Sequence, residues 1–82
     1  MLFSELRRKE VINLSTGCRI GYVCDIEFDT KCGKLLSLIV PERQPFFSFK
    51  RQNELRVPWD CIDKISDDII LVTNAYPLKD TN

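Results

Sequence analysis

Histidine is absent from this 82-residue chain, and no apolar run approaches the ~20 residues that cross a bilayer as a helix. The first absence removes the commonest general base, the usual activator of a nucleophilic thiol, and a principal metal ligand. Net charge is also missing: twelve basic and twelve acidic residues cancel, and the pI is about 6.2. A global excess of positive charge, expected where phosphate contacts dominate affinity, is therefore not there. Residues 1–10 are too charged to hold the apolar stretch of a signal peptide, so cytoplasmic residence is expected.

What is present is ordinary for a folded domain. Apolar residues make up 44% and charged residues 29%, too apolar and too balanced for a disordered chain. At this length a second core would leave both halves too small to offset their ordering entropy, so residues 1–82 are read as one domain. Cys18, Cys24, Cys32 and Cys61 form an even set, but without a secretion signal they are expected as thiols. Structural zinc sites pair ligands two to four residues apart, which these cysteines do not match, and no metal or other cofactor is expected. Cys24 and Cys61 read as small apolar fillers and Cys18 and Cys32 as residues near turns.

Apolar patterning points to an all-β fold. Ser4 can cap a short turn, and Val11, Ile12 and Leu14 mark the first strand. Ser15-Thr16-Gly17 is a turn by composition, and Gly21 opens a second strand with Val23, Ile26 and Phe28 as core candidates. The parity slip between Val23 and Ile26 predicts a β-bulge near Cys24-Asp25, with Asp25 accepting a backbone N–H or, alternatively, facing a partner. Asp29 to Lys34 reads as a hairpin turn in which Asp29 caps and Gly33 takes positive φ. Leu35 to Val40 has only Ser37 polar, so this strand is expected to be covered on both sides. Leu55-Arg56-Val57 is a strand closed by Pro58. Trp59, Ile62 and Ile65 then fit one helical turn, with Trp59 as a core anchor whose truncation would cost about 3–5 kcal/mol. Ile69 to Val72 is the closing strand.

These residues carry a resemblance. The order Ser4-Glu5-Leu6, Lys9 to Leu14, Gly17, Gly21, Asp25, Gly33, Pro41, Phe46-Phe47, Val57-Pro58-Trp59 and Ile69 to Val72 resembles the PRC-barrel domain, and within it the YlmC/YmxH-type sporulation-associated family. The resemblance spans nearly the whole chain. It implies a small PRC-type β-barrel of about five or six antiparallel strands with one short helical turn, used in relatives as a protein-binding module. It also implies an endospore-forming source and carries over no catalytic residues; the four cysteines are outside its pattern.

The segment from Pro41 to Glu54 concentrates the candidate binding residues. Phe46, Phe47 and Phe49 lie among Arg43, Lys50 and Arg51, with Arg56 just beyond, in a long connection between strands. Either the rings close one end of the barrel or at least one projects toward a partner; adjacent Phe46 and Phe47 on an extended backbone would split between the two faces. An aromatic centre with a basic rim is common at protein interfaces. The same composition could stack and track RNA, the alternative reading of this 43–56 segment, although the neutral charge balance disfavours it.

Arg7-Arg8-Lys9 reads as a solvated entrance to the first strand, and Asp60, Asp63, Asp67 and Asp68 as a solubilising acidic surface. Asp25 or Asp60 could act as an acid or base, but general acid–base chemistry needs a pocket and a second positioned group that the sequence does not offer, so no enzyme is expected. The expectation is a non-catalytic, sporulation-associated adaptor for a protein partner, with a homodimer plausible through an apolar Leu35–Val40 edge strand and no membrane insertion.

Overall fold

The computed structural model describes residues 1–41 and 54–78. A single-turn helix α1 (Phe3–Leu6) precedes β1 (Glu10–Asn13), β2 (Cys18–Tyr22), β3 (Asp25–Phe28), β4 (Leu35–Pro41) and β5 (Glu54–Pro58). A 3₁₀ turn (Trp59–Cys61), β6 (Ile62–Ile65), β7 (Ile69–Val72) and β8 (Tyr76–Pro77) complete it. Ser4 lies inside α1, which begins after Leu2 with no side-chain cap.

Among the described residues the strands form two four-stranded sheets, β2-β1-β7-β6 and β3-β4-β5-β8, and no ladder closes them into one barrel. The architecture is mostly β, as expected, but has eight strands among the described residues rather than five or six. One pair, β1 with β7, is parallel. The wholly antiparallel expectation fails there because the return from β7 to β1 is a long crossover, which suits parallel pairing.

The segment read as one strand from Gly21 to Phe28 is in fact two. β2 ends at Tyr22 in the first sheet and β3 starts at Asp25 in the second. The parity slip therefore marks the passage between sheets; the register shifts in this part of the chain lie elsewhere, opposite Val11/Ile12 and at Glu27/Phe28. Asp25 performs its expected local task, since its Oδ1 accepts the Ile26 N–H at 2.8 Å. Val23 is buried, Ile26 half-buried and Phe28 exposed, Phe28 standing at the end of β3 just after the register shift at Glu27/Phe28.

The Asp29–Lys34 turn forms as the sequence specifies. Asp29 N–H donates to the Lys34 carbonyl at 2.8 Å, Lys31 N–H donates to Asp29 Oδ1 at 2.9 Å, and Gly33 takes φ +74°. β4 then runs back beside β3 and is flanked on its other side by β5. It is a central strand, so the expected edge for self-pairing at Leu35–Val40 does not exist. Ser37, Leu38, Ile39 and Val40 are all buried, which agrees with cover on both faces.

The core lies between the sheets: Val11, Leu38, Val40, Val57, Ile70 and Val72 are fully buried there, with Leu6, Ile20 and Val23 around them. Gly21 takes φ +138°, and a Cβ at this position would stand 3.5 Å from the Pro41 carbonyl oxygen, so β2 passes close over the end of β4. Lys9 departs from its expected solvated place. Only 8% exposed, its ammonium donates to the carbonyls of Ser66 and Asp67 at 2.6 and 2.8 Å, tying the start of β1 to the β6–β7 turn.

Candidate functional site

β4 and β5 fix where the candidate loop leaves and returns. Pro41 and Glu54 are directly opposite one another in the antiparallel ladder, so the connection between them is held at both ends by paired backbone. Arg43, Phe46, Phe47, Phe49, Lys50 and Arg51 lie outside the described residues. Around the base of this connection the polar groups are satisfied locally. Leu78 N–H donates to the Glu54 carbonyl at 2.8 Å, Cys24 N–H to the Ile39 carbonyl at 2.8 Å, and the Cys24 thiol to Glu54 Oε2 at 3.7 Å.

Cys24 is exposed rather than a buried filler, because it sits in the two-residue passage from one sheet to the other. Partial desolvation, followed by the facing Glu54 carboxylate, raises the pKa of its thiol above the usual range. A raised pKa keeps it protonated near neutrality and therefore a poor nucleophile. Cys18 and Cys32 are exposed beside turns, as read, and Cys61 packs half-buried against the core. All four are free thiols, and no group of three or more potential metal ligands gathers among the described residues.

Arg56 is the one predicted binding residue that is described, and it is not a free rim cation. Ser37 Oγ donates to Glu27 Oε1, Arg56 Nη2 donates to Glu27 Oε2 at 3.0 Å, and Arg56 Nε stands 2.7 Å from Oε1 as an ionic contact. This places β3, β4 and β5 under one cross-strand network on the sheet face away from the core. The Ser37 hydrogen bond, helped by Arg56, lowers the pKa of the Glu27 carboxyl. Arg56 thus braces the strand that delivers the loop.

At the opposite end of the same sheet lies a surface that the sequence reading missed. Trp59 is 41% exposed, not a core anchor, since the 3₁₀ turn that follows Pro58 carries it past the end of β5. The helical spacing of Trp59, Ile62 and Ile65 persists only through Cys61; Ile62–Ile65 is a strand. Trp59 and Leu35 together join two shallow hollows, one of about 220 Å³ bordered by Met1, Leu2 and Phe3, the other of about 180 Å³ bordered by Lys34, Leu36 and Asp60. Alternation gave no signal for Leu36, which shares the parity of the buried Leu38 and Val40; it turns outward because the register shift at Glu27/Phe28, with Glu27 opposite Ser37 and Phe28 opposite Leu35, leaves it without a cross-strand partner. A third concavity, of about 510 Å³, opens where Cys18, Arg19 and Ile20 of β2 face Leu55, Ala75 and Pro77.

Among the described residues no helix is long and apolar enough to cross a membrane. Three relatives align over most of their length. An uncharacterised protein of Clostridium acetobutylicum is 34% identical over 77 residues, 92% of this chain and 88% of the relative. A protein of Bacillus subtilis named as the probable sporulation protein YlmC is 35% identical over 75 residues, 90% of this chain and 93% of the relative. The uncharacterised protein YmxH of the same bacterium is 32% identical over 74 residues, 88% of this chain and 87% of the relative. The family model for the PRC-barrel domain matches residues 1–77, and with these relatives of near-equal length the chain belongs to the PRC-barrel domain family.

Proposed function

We propose that this chain is a sporulation-associated, non-catalytic adaptor of the cytoplasm, a PRC-type domain that offers its 42–53 connection to a protein partner. Kinship with the probable sporulation protein YlmC supports the cellular setting. The observation that carries the binding role is the pairing of Pro41 with Glu54, which gives a connection containing three Phe and three basic residues a braced base. Holding both ends of a recognition loop reduces the entropy lost when it docks. Arg43, Phe46, Phe47, Phe49, Lys50 and Arg51 are assigned to the partner contact. Arg56 supports them through Glu27 and Ser37 rather than by offering a free charge.

Affinity capture from sporulating cells tests this reading, with the wild-type chain and a Phe46→Ser/Phe47→Ser variant of unchanged circular dichroism as baits. A protein retained by the wild type alone, whose purified form then binds saturably with only modest salt dependence, is the expected result. Nuclease-sensitive RNA whose retention falls steeply with salt would replace the protein partner by RNA. Equal retention by both baits would remove the loop from the binding surface.

A further inference from the structure

The end of the second sheet remote from the loop exposes a group of apolar side chains. Leu2, Phe3, Leu36 and Trp59 are 65%, 39%, 49% and 41% exposed, and Trp59 and Leu35 make their two hollows continuous. An exposed apolar area of this kind on a small soluble domain marks a contact surface. The hollows, at about 180 and 220 Å³, fall below the roughly 300 Å³ at which small-molecule pockets begin, so the shape suits a broad surface and not an enclosed ligand.

Charge distinguishes among the possible occupants. Lys34 and Asp60 border the same hollow as Leu36 and Trp59, and neither makes an ion pair within the chain among the described residues. A uniformly anionic lipid surface would attract Lys34 and Arg7, whose guanidinium lies 5.8 Å over the Phe3 ring, but would repel Asp60, so the Lys34 and Asp60 pair calls for both signs in its occupant. A two-fold related copy satisfies both, because in an isologous interface residue i meets j and j meets i, so that Lys34 of each copy faces Asp60 of the other. The four exposed side chains, each presenting on the order of 100 Å², supply about half of the ~800 Å² that each partner contributes to a standard interface. Leu35, Pro58 and the rim residues of the same hollows extend that area.

We propose that this face, centred on Trp59 and Leu36 and flanked by Lys34 and Asp60, is a homodimer interface. It replaces the edge-strand pairing that the central position of β4 rules out. β4 runs about 20 Å from Leu35 to Pro41 at the usual strand rise, which puts the base of each loop at the far end from the two-fold contact. The dimer would therefore be bivalent if the loop reading holds, and the interface stands independently of that reading.

Sedimentation equilibrium of the full chain tests it, with a species of twice the 9.6 kDa chain mass expected at high concentration. Lys34→Asp and Asp60→Lys are each expected to weaken self-association by about tenfold, since each places like charges at two symmetric contacts. An equimolar mixture of the two variants is expected to regain the wild-type affinity, because the heterodimer pairs Asp with Lys at both contacts. Both substitutions are at exposed positions, so circular dichroism should be unchanged. A wild-type chain that stays monomeric at millimolar concentration would overturn the proposal, and if that monomer co-sediments with phosphatidylglycerol vesicles the face belongs to a lipid surface. A dimer indifferent to both charge reversals, or variants whose mixture does not recover, would equally overturn it.

Discussion

The middle of the β3-β4-β5-β8 sheet and its end at Leu35 and Trp59 are built from similar apolar residues, yet one is core and the other is surface. Leu38, Val40 and Val57 are fully buried beneath the facing sheet, whereas Leu36 and Trp59 are about half exposed. A break in register accounts for the difference on β4. Glu27 pairs with Ser37 and Phe28 with Leu35, so Leu36 is an extra residue without a cross-strand partner and turns outward although it shares the parity of Leu38 and Val40. Leu35 beside it packs against the core. Residue type alone does not decide burial; register does.

That contrast can be broken most sharply by truncation. Leu38→Ala should cost about 2–5 kcal/mol in urea unfolding, through lost burial and the cavity left between the sheets. Trp59→Ala, a larger deletion, should cost below about 1.5 kcal/mol when measured in dilute solution, where self-association contributes nothing. A loss for Trp59→Ala equal to that for Leu38→Ala would mean that this end of the sheet is covered after all.

Lys9 sharpens the comparison from the other sheet, as a charge buried where its sequence neighbours Arg7 and Arg8 are exposed. Lys9→Met keeps the aliphatic stem but strands two carbonyls, those of Ser66 and Asp67, and should destabilise by about 1.5–3 kcal/mol. Hydrogen exchange at Ile69 and Ile70 should accelerate with it, because the β6–β7 turn loses its tie to β1. Unchanged exchange there would reduce Lys9 to an incidental contact.

The smallest effect is expected at the outer face. The folded Glu27 carboxyl has a lowered pKa, so its contribution to stability is fully present above the ordinary value of 4.5 and is lost as pH falls through the lower folded-state value. Both Glu27 and Arg56 are more than a third exposed, which keeps the contribution modest. Glu27→Gln should therefore lower the melting temperature modestly at pH 7 and leave it unchanged at pH values below the folded-state pKa, so that the acid limb of the variant is flatter. An unaltered acid limb in the variant would show that other carboxylates govern it.

Local chemistry was legible wherever a short stretch determines its own geometry. The Asp29–Gly33 turn, the strand spans at Leu35–Val40 and Ile69–Val72, and the backbone-capping role of Asp25 follow from residue types acting within a few positions. The family was legible too, because its frame of Gly, Asp and Val-Pro-Trp positions spans the chain. Failures occurred where one pattern serves two environments. Trp59, Ile62 and Ile65 have a helical spacing that a 3₁₀ turn followed by a strand satisfies equally well, and Phe28 alternates with Ile26 in sequence while a register shift at Glu27/Phe28 leaves it exposed.

The sequence by itself determined a β-rich PRC-barrel chain, its hairpin turn, and most of the residues at its centre, since periodicity and turn chemistry are read within a single strand or loop. Only the tertiary structure decided that the Gly21–Phe28 segment divides between two sheets and that β4 is central. It also decided that Lys9 is buried, that Arg56 is spoken for by Glu27, and that Leu36 and Trp59 face outward. Each of these depends on which element lies across from a residue, and that is set by contacts between positions far apart along the chain.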